Sequence, residues 1–282
     1  MTQSAAPRLS AASAPLTHTV EVLDEFGARR RIEVPAERAL TVFVDKRELV
    51  TLMTLGAAPE LLVLGYLRNQ RLVESADEIE SITVDWEVNA AAVKTRAGIE
   101  RFDEKTAKRV VTTGCGQGTV FGDLMSDLDK VVLPAADDAT ARLSQATLYR
   151  LLNAMRLQES TYKSAGSVHG CALFRQDRLL MFVEDVGRHN AIDTIAGWMW
   201  LEGMTGGDKI FYTTGRLTSE MVIKSAQMGV PIVVSRSGIT QMGHQLAEQL
   251  GLALFGRATN RHFICYSGFG RFDSEPEPPR VA

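Results

Sequence analysis

The sequence predicts an α/β fold in which a small β-rich N-terminal part precedes a larger, three-layer α/β/α C-terminal domain. Three observations predict it. Short β-branched runs broken by turn residues fill the first third of the chain. From about residue 144 onward, strand patterns and helical patterns alternate. Four of the later apolar runs end in the same way, in a small residue plus an arginine.

Each element has a local reason. HTVEVL and RRRIEVP flank Asp24-Glu25-Phe26-Gly27, which reads as a hairpin with glycine in its turn. LTVFVD is the next strand and Asp45-Lys46 its turn. From Pro59 to Gln70, Leu61, Leu62, Leu64 and Leu67 recur at helical spacing, and Pro59 suits a first helical turn. SITVDWEV and RVVTT return to strand character before a glycine-rich loop. In Ser144–Leu157, Leu148, Leu151, Leu152 and Met155 share one helical face. CALF and RLLMFVED then form a hairpin-like pair around Arg175-Gln176-Asp177. A helix from Ala191 to Trp200, strand KIFYTT, a helix from Ser219 to Met228, strand IVVS, a helix from Gln241 to Leu250, and strands LALF and HFICY complete the series. The Ser219 helix is well punctuated. Thr218 or Ser219 caps it, Glu220 suits its positive end, and Gly229 and Pro231 close it.

Composition narrows the class. Of 282 residues, 45% are hydrophobic and 23% charged, so the chain is globular and large enough to bury a core without staples. The net charge of −3 gives no basic footprint for nucleic acid. No apolar run reaches the ~20 residues of a membrane span, and the small, polar start lacks the apolar stretch of a secretory signal. A cytoplasmic location with no membrane or nucleic-acid partner is therefore expected. The expected organisation is a tail at 1–16, a β-rich domain at 17–135, an α/β domain at 136–270 and a second tail at 271–282. VVLPAADDAT reads as the linker between the two domains.

The strand ends carry the first functional signal. FVEDV leads to Gly187-Arg188-His189-Asn190, IFYTT to Gly215-Arg216, IVVS to Arg236-Ser237-Gly238, and LALF to Gly256-Arg257. Ligands of parallel sheets collect at strand carboxyl ends, where helix N-termini favour anions and arginine forks grip phosphate oxygens. One such arginine reads as structural; four at equivalent positions read as a shared site for a phosphate-bearing ligand. Glu184 and Asp185 interrupt the pattern, and their carboxylates are expected to accept from a base or a neighbouring arginine. His189 has two readings, a general base or a cap of its own helix, and the second is the commoner for a histidine outside a catalytic set.

The second signal is Cys115, in Thr112-Thr113-Gly114-Cys115-Gly116-Gln117-Gly118-Thr119. A cysteine between glycines after a strand is expected on an exposed loop, where a thiolate does chemistry. Cys171 and Cys265 sit inside apolar strands and read as core. With three widely spaced cysteines and no CxxC pair, neither a disulfide framework nor a metal site is expected.

The stretches TTGCGQG, VEDVGRHNAID, TTGRLTSE and VSRSGIT, spread over roughly residues 40–267, resemble the FdhD/NarQ family of sulfur carriers. The resemblance implies a fold similar to that of cytidine deaminases, a homodimer, and a sulfurtransferase-type role. Sulfur would pass from a cysteine desulfurase, as a persulfide, to the molybdenum bis(molybdopterin guanine dinucleotide) cofactor destined for formate dehydrogenase. The family's persulfide cysteine falls on Cys115. Its cofactor-binding stretch falls on Phe255, Gly256, Arg257, Ala258, Thr259 and Asn260, with Arg216, Arg236 and Arg188 as further anchors. A guanine nucleotide is expected to mimic the cofactor. The chain departs from the family pattern at Gly118, where a second cysteine is usual. One nucleophilic sulfur per carrier suffices for a persulfide relay.

Rival readings are weaker. A nucleobase deaminase needs H-x-E and P-C-x-x-C, whereas His169-Gly170-Cys171 lacks the glutamate and no CxxC follows. A thiol phosphatase needs an arginine just after the cysteine, and the residues from Gly116 to Phe121 are uncharged. A chaperone that binds the cofactor or the apo-enzyme without moving sulfur is the alternative that the missing second cysteine keeps open.

Overall fold

The structure is a computed structural model that describes residues 6–99, 110–111, 118–119 and 131–275. The chain divides into two compact units that interleave in sequence. One comprises residues 1–127, 159–171 and 183–204; the other comprises 128–158, 172–182 and 205–282. This division differs from the single boundary near residues 130–140 that the linker-like composition suggests. In chain order the elements are β1 (Arg8–Leu9), β2 (Thr17–Leu23), β3 (Arg29–Pro35), β4 (Arg38–Val44), β5 (Arg47–Thr54), α1 (Pro59–Asn69), β6 (Ile79–Asp85) and β7 (Ala90–Thr95). There follow β8 (Val110–Val111), β9 (Gly118–Thr119), β10 (Leu143–Ser144), α2 (Gln145–Leu157), α3 (Thr161–Ala165), β11 (His169–Arg175), β12 (Arg178–Asp185) and α4 (Arg188–Leu201). The chain continues with β13 (Ile210–Thr213), α5 (Ser219–Gln227), β14 (Ile232–Ser235), α6 (Gln241–Leu250), β15 (Ala253–Thr259), β16 (His262–Ser267) and β17 (Phe272–Asp273).

In the first unit, a five-stranded sheet in the order β1-β6-β7-β4-β5 packs its inner face on α1. The alternation of β4 decides which face that is: Leu40, Val42 and Val44 are buried while the residues between them are part-exposed. Asp45 and Lys46 take φ of 47° and 72°, the left-handed pair that a two-residue β4–β5 turn requires. β2 and β3 form their own two-stranded ribbon, closed by Asp24 Oδ1 accepting from the N–H groups of Phe26 and Ala28, both at 3.0 Å. The expected tail at 1–16 is ordered from residue 6. β1 pairs in parallel with β6, and the buried Glu60 accepts from Ser10 Oγ and Ala12 N, each at 2.6 Å. That carboxylate sits in the first turn of α1, so it also complements the helix dipole.

Helices α1 and α4 of this unit cross at backbone contact. A Cβ on Gly65 would lie 1.7 Å from the Asp193 carbonyl oxygen, and one on Gly197 would lie 2.0 Å from that of Leu61. Asn69 Nδ2 donates to Asp193 Oδ1 at 2.7 Å, and Arg68 donates to the Ala196 carbonyl at 2.9 Å. Burial lowers the Arg68 pKa to about 10, and its guanidinium lies 5.4 Å from the centre of the Trp200 ring.

In the second unit, the sheet order is β12-β11-β13-β14-β15-β16, with β13, β14 and β15 mutually parallel and β16 antiparallel. Arg175 at the end of β11 pairs at 2.7 Å with Asp208, just before β13, so these two neighbours run in opposite directions. Successive residues of the central strands are all buried: Phe211 beside Tyr212, Val233 beside Val234, Leu254 beside Phe255. Both faces are therefore covered, as a three-layer arrangement requires. On one face, Leu148, Leu151 and Leu152 of α2 pack with Ala172, Phe174, Tyr212, Val234 and Phe255. The expected second tail begins later than residue 271. Phe272–Asp273 pairs with Leu143–Ser144, and buried Arg271 donates to the carbonyls of Gly251, Pro134 and Ala135. Those last two bonds hold the stretch that reads as a linker.

Candidate functional site

The site is built at the carboxyl ends of β13, β14 and β15. These strands are adjacent and parallel, with Thr213 opposite Ser235 and Val234 opposite Phe255, so their following loops emerge side by side. Hydroxyls inside the sheet edge then stitch the loops together. Thr213 Oγ1 accepts from Gly215 N at 3.0 Å, and Ser235 Oγ donates to the Gly215 carbonyl at 2.6 Å. Arg236 N donates to the Thr213 carbonyl at 3.0 Å, Ser237 N to Ser235 Oγ at 2.9 Å, and Arg257 N to the Ser237 carbonyl at 2.8 Å. Every bond of this lattice involves backbone, so the three arginines arise from fixed points.

The first two loops repeat one design. Each runs from a strand through a glycine and an arginine to an aliphatic–threonine pair that starts a helix: Leu217-Thr218 before α5 and Ile239-Thr240 before α6. Leu217 and Ile239 form an isolated parallel bridge, with Leu217 N donating to the Gly238 carbonyl at 2.9 Å and Thr240 N to that of Leu217 at 3.0 Å. Both helices thus begin at the same level of the sheet edge. Thr240 Oγ1 caps α6 by accepting from Gly243 N at 3.3 Å. Gly243 is required there, since its Cβ would come within 2.7 Å of the Leu217 carbonyl. Thr218 makes no such side-chain cap, and its buried Oγ1 has no partner.

The structure brings together three of the four predicted arginines. Arg216, Arg236 and Arg257 are exposed at neighbouring strand ends of the second unit. Arg257 has φ of 51°, at an irregularity between Gly256 and Thr259 where β15 bulges against β16. Gly256 is pinned between Tyr266 and Ser237, for a Cβ would lie 2.8 Å from the tyrosine ring and 3.1 Å from the Ser237 carbonyl. Within the predicted Phe255–Asn260 stretch, exposure alternates. Arg257, Thr259 and Asn260 are exposed, while Phe255 and Ala258 are buried. Phe255 belongs to an aromatic cluster, 5.0 Å from Phe272 and 6.0 Å from Phe263 between ring centres. Its side chain packs in the core beneath the β15–β16 hairpin.

The fourth arginine differs. Arg188 belongs to the first unit and is buried at 4% exposure in the first turn of α4, as is His189. The carboxylates before it are also committed within that unit, contrary to the expectation that they receive a base or an arginine. Glu184 accepts from the N–H groups of Thr161 at 2.5 Å and Tyr162 at 3.2 Å, at the start of α3. Asp185 Oδ2 accepts from Thr54 Oγ1 at 2.5 Å and Leu55 N at 3.1 Å, and its Oδ1 from Gly187 N at 3.0 Å and Asn190 Nδ2 at 2.8 Å. Burial pushes the Asp185 carboxyl above its ordinary range, against the pull of those four bonds. The Glu-Asp-Val-Gly-Arg-His-Asn stretch is thus a knot joining β5, β12, α3 and α4. Sequence reading missed Thr54, Thr213, Ser235 and Ser237; single hydroxyls have no spacing signal.

Cys115 lies outside the described residues. The strands on either side of it, β8 and β9, pair in antiparallel register, Val110 with Thr119 and Val111 with Gly118. Cys171 is fully buried, and burial pushes the half-buried Cys265 thiol up to about 11. Cys265 is therefore not placed to be a thiolate at neutral pH, and Cys171 is enclosed. Among the described residues there is no cluster of three or more potential metal ligands, and no helix is long and apolar enough to cross a membrane.

The FdhD/NarQ family model matches residues 35–273. The chain belongs to the FdhD/NarQ family. Among its relatives, the sulfur carrier protein FdhD of Bacillus subtilis is 33% identical over 232 residues, covering 82% of this chain and 87% of the relative. That of Bacillus licheniformis is 32% identical over 235 residues, covering 83% and 88%. A crystal structure of a putative formate dehydrogenase accessory protein from Desulfotalea psychrophila superposes with a TM-score of 0.72 at 24% identity, covering 92% of this chain and 100% of that one. This likeness shows the mixed α/β fold.

Proposed function

We propose that this FdhD/NarQ member carries sulfur on Cys115 during the maturation of formate dehydrogenase. The Cys115 thiolate attacks the outer sulfur of a persulfide on a cysteine desulfurase. A new S–S bond forms, the donor's S–S bond breaks, and the desulfurase cysteine leaves as thiolate. Cys115 then bears the persulfide and presents its outer sulfur to the substrate, molybdenum bis(molybdopterin guanine dinucleotide). The observation that carries the binding half is the row of exposed Arg216, Arg236 and Arg257 on adjacent parallel strand ends, beside the starts of α5 and α6. Their forks suit the phosphates of a guanine dinucleotide tail, with Thr259 and Asn260 at the rim. A cytoplasmic homodimer is part of this reading.

Mass spectrometry after incubation with desulfurase and cysteine tests it. The expected result is a gain of about 32 Da, one sulfur atom, on the Cys115 peptide. Cys115→Ala should lose that adduct and fail to support formate dehydrogenase activity; full activity with this variant refutes the carrier role. The alternative of a chaperone that moves no sulfur is favoured by one observation, Gly118 in place of a second cysteine in strand β9. It predicts cofactor binding without the adduct.

A further inference from the structure

The β15–β16 ladder is irregular at two places, and both lie at the strand-end arginines. Leu254 pairs with Ser267 but Phe255 pairs with Cys265, so Tyr266 stands opposite no residue of β15. It is the extra residue of a β-bulge, a device that re-aims a side chain. The second irregularity falls between Gly256 and Thr259 and holds Arg257 at φ of 51°. Phe255 and Gly256 are the two residues between the shifts.

The first bulge brings the Tyr266 ring onto Gly256. A Cβ at position 256 would lie 2.8 Å from Tyr266 Cε2 and 3.5 Å from Cδ2, so one ring edge rests where a side chain would be. The same Cβ would lie 3.1 Å from the Ser237 carbonyl, which accepts from Arg257 N at 2.8 Å. The ring therefore sits at the carboxyl end of β15, beside the Arg236-Ser237 loop and next to Arg257. Helix α6 holds the bulge in place, for His244 Nε2 donates to the Tyr266 carbonyl at 3.0 Å. Tyr266 is only part-buried. Among the described residues, its hydroxyl has no hydrogen-bond partner and its ring no aromatic or guanidinium neighbour. The core rings behave differently: Phe255, Phe263 and Phe272 pack edge to face on one another.

We infer that Tyr266 is a specificity-determining residue of the strand-end site, the platform on which the guanine base of the ligand stacks. The inference rests on the cofactor-binding half of the reading above and gives that ligand a direction. Bases stack on aromatic side chains because both present flat π-faces. Neighbouring strands lie about 4.8 Å apart, so Arg236 and Arg216 follow at one and two strand spacings from β15. The base lies on the β15–β16 side, and the phosphates run toward β14 and β13, where the exposed guanidinium forks of Arg236 and Arg216 receive them. A phosphate ligand without a base uses the arginines alone.

Calorimetric titration of the full chain with GDP and, separately, with inorganic pyrophosphate tests the inference. Tyr266→Ala should weaken GDP binding by about tenfold, within the range that stacking on an aromatic side chain contributes per base, and leave pyrophosphate binding unchanged. Tyr266→Phe and Tyr266→Trp keep a π-face and should keep the wild-type affinity for GDP. Tyr266→Leu keeps apolar volume on Gly256 without a π-face, so it should show the same selective loss even if Tyr266→Ala folds poorly. An equal loss of GDP and pyrophosphate binding, the mark of a merely structural role, overturns the inference. So does GDP affinity that both Tyr266→Ala and Tyr266→Leu leave unchanged, and in that case the strand-end site itself stands. A wild-type chain that binds neither probe overturns the strand-end site and this inference with it, so the two failures are told apart.

Discussion

If Cys115 is the working thiol, a wild-type chain should take up one equivalent of iodoacetamide quickly and the other two slowly. The margin follows from the other thiols. Cys265 ionises at about 11, so at a pH of about 8 roughly one molecule in a thousand carries its thiolate. A cysteine of ordinary pKa, ~8.5, is about one quarter ionised there, a ratio of roughly two hundred and forty. Intrinsic nucleophilicity works the other way, rising by about 0.4–0.5 log unit per pKa unit, which returns a factor of roughly thirteen. Chemistry alone therefore favours an ordinary thiol by about twentyfold, and the half-buried position of Cys265 widens the gap. Cys171 has 0% exposure and reacts only when the fold opens. Peptide mapping after short pulses, on wild type and on Cys115→Ser, reads each site. A rapid equivalent that persists in Cys115→Ser would refute the reasoning, because it would have to sit on a thiol the structure keeps protonated or enclosed.

Three further outcomes follow from named contacts. Arg257→Ala should weaken guanine nucleotide binding by about tenfold, the worth of one charge-assisted contact, while calorimetry showing unchanged affinity removes the residue from the site. Gly197→Ala should cost about 3 kcal/mol in urea unfolding, since its Cβ would meet the Leu61 carbonyl at 2.0 Å and two backbones must part to admit it; an unchanged midpoint discards the close crossing. Asp185→Asn turns one acceptor oxygen into a donor facing two donors, and should likewise cost about 3 kcal/mol. Because burial raises the Asp185 pKa, the group's contribution is fully present below ~3.9, the ordinary aspartate value, and is lost as pH rises through its folded value. Stability profiles of wild type and Asp185→Asn should converge in slope once that step is removed, and identical profiles across the range would contradict it.

What the sequence revealed was local, and what it concealed was not. The α5 helix was readable residue by residue, and it runs Ser219–Gln227 with Gly229 at φ of 75° behind it. The Asp45-Lys46 turn and the α2 stripe of Leu148, Leu151 and Leu152 were equally readable, since propensity and period act over a few residues. The interleaving of the two units was not. It depends on Gly65 meeting Asp193 and on Thr54 meeting Asp185, pairings over long separations that no spacing encodes. Arg188, a predicted anchor that belongs to the first unit, shows the same limit. Its Gly-Arg context matches that of Arg216, yet one side chain is buried and the other exposed, because exposure is set by what packs around a loop and not by the loop's own letters.

That contrast also explains why the strand ends of the second unit are suited to an anion. The loops after β13 and β14 share a design, but they differ in one atom's bonding. Thr240 spends its hydroxyl on Gly243 N and so partly satisfies the start of α6, whereas Thr218 leaves α5 without a side-chain cap. A helix start without its own cap keeps its partial positive charge for whatever approaches. Arg216 stands three residues before that start, Arg236 directly follows β14 and Arg257 lies on β15. The hydroxyls of Thr213 and Ser235 are turned inward to fix the loops and do not compete for the ligand. The polar side chains with a structural task bond within the sheet edge, and Arg216, Arg236 and Arg257 are exposed. A phosphate-bearing tail arriving at this edge would find its donors already oriented and little reorganisation left to do.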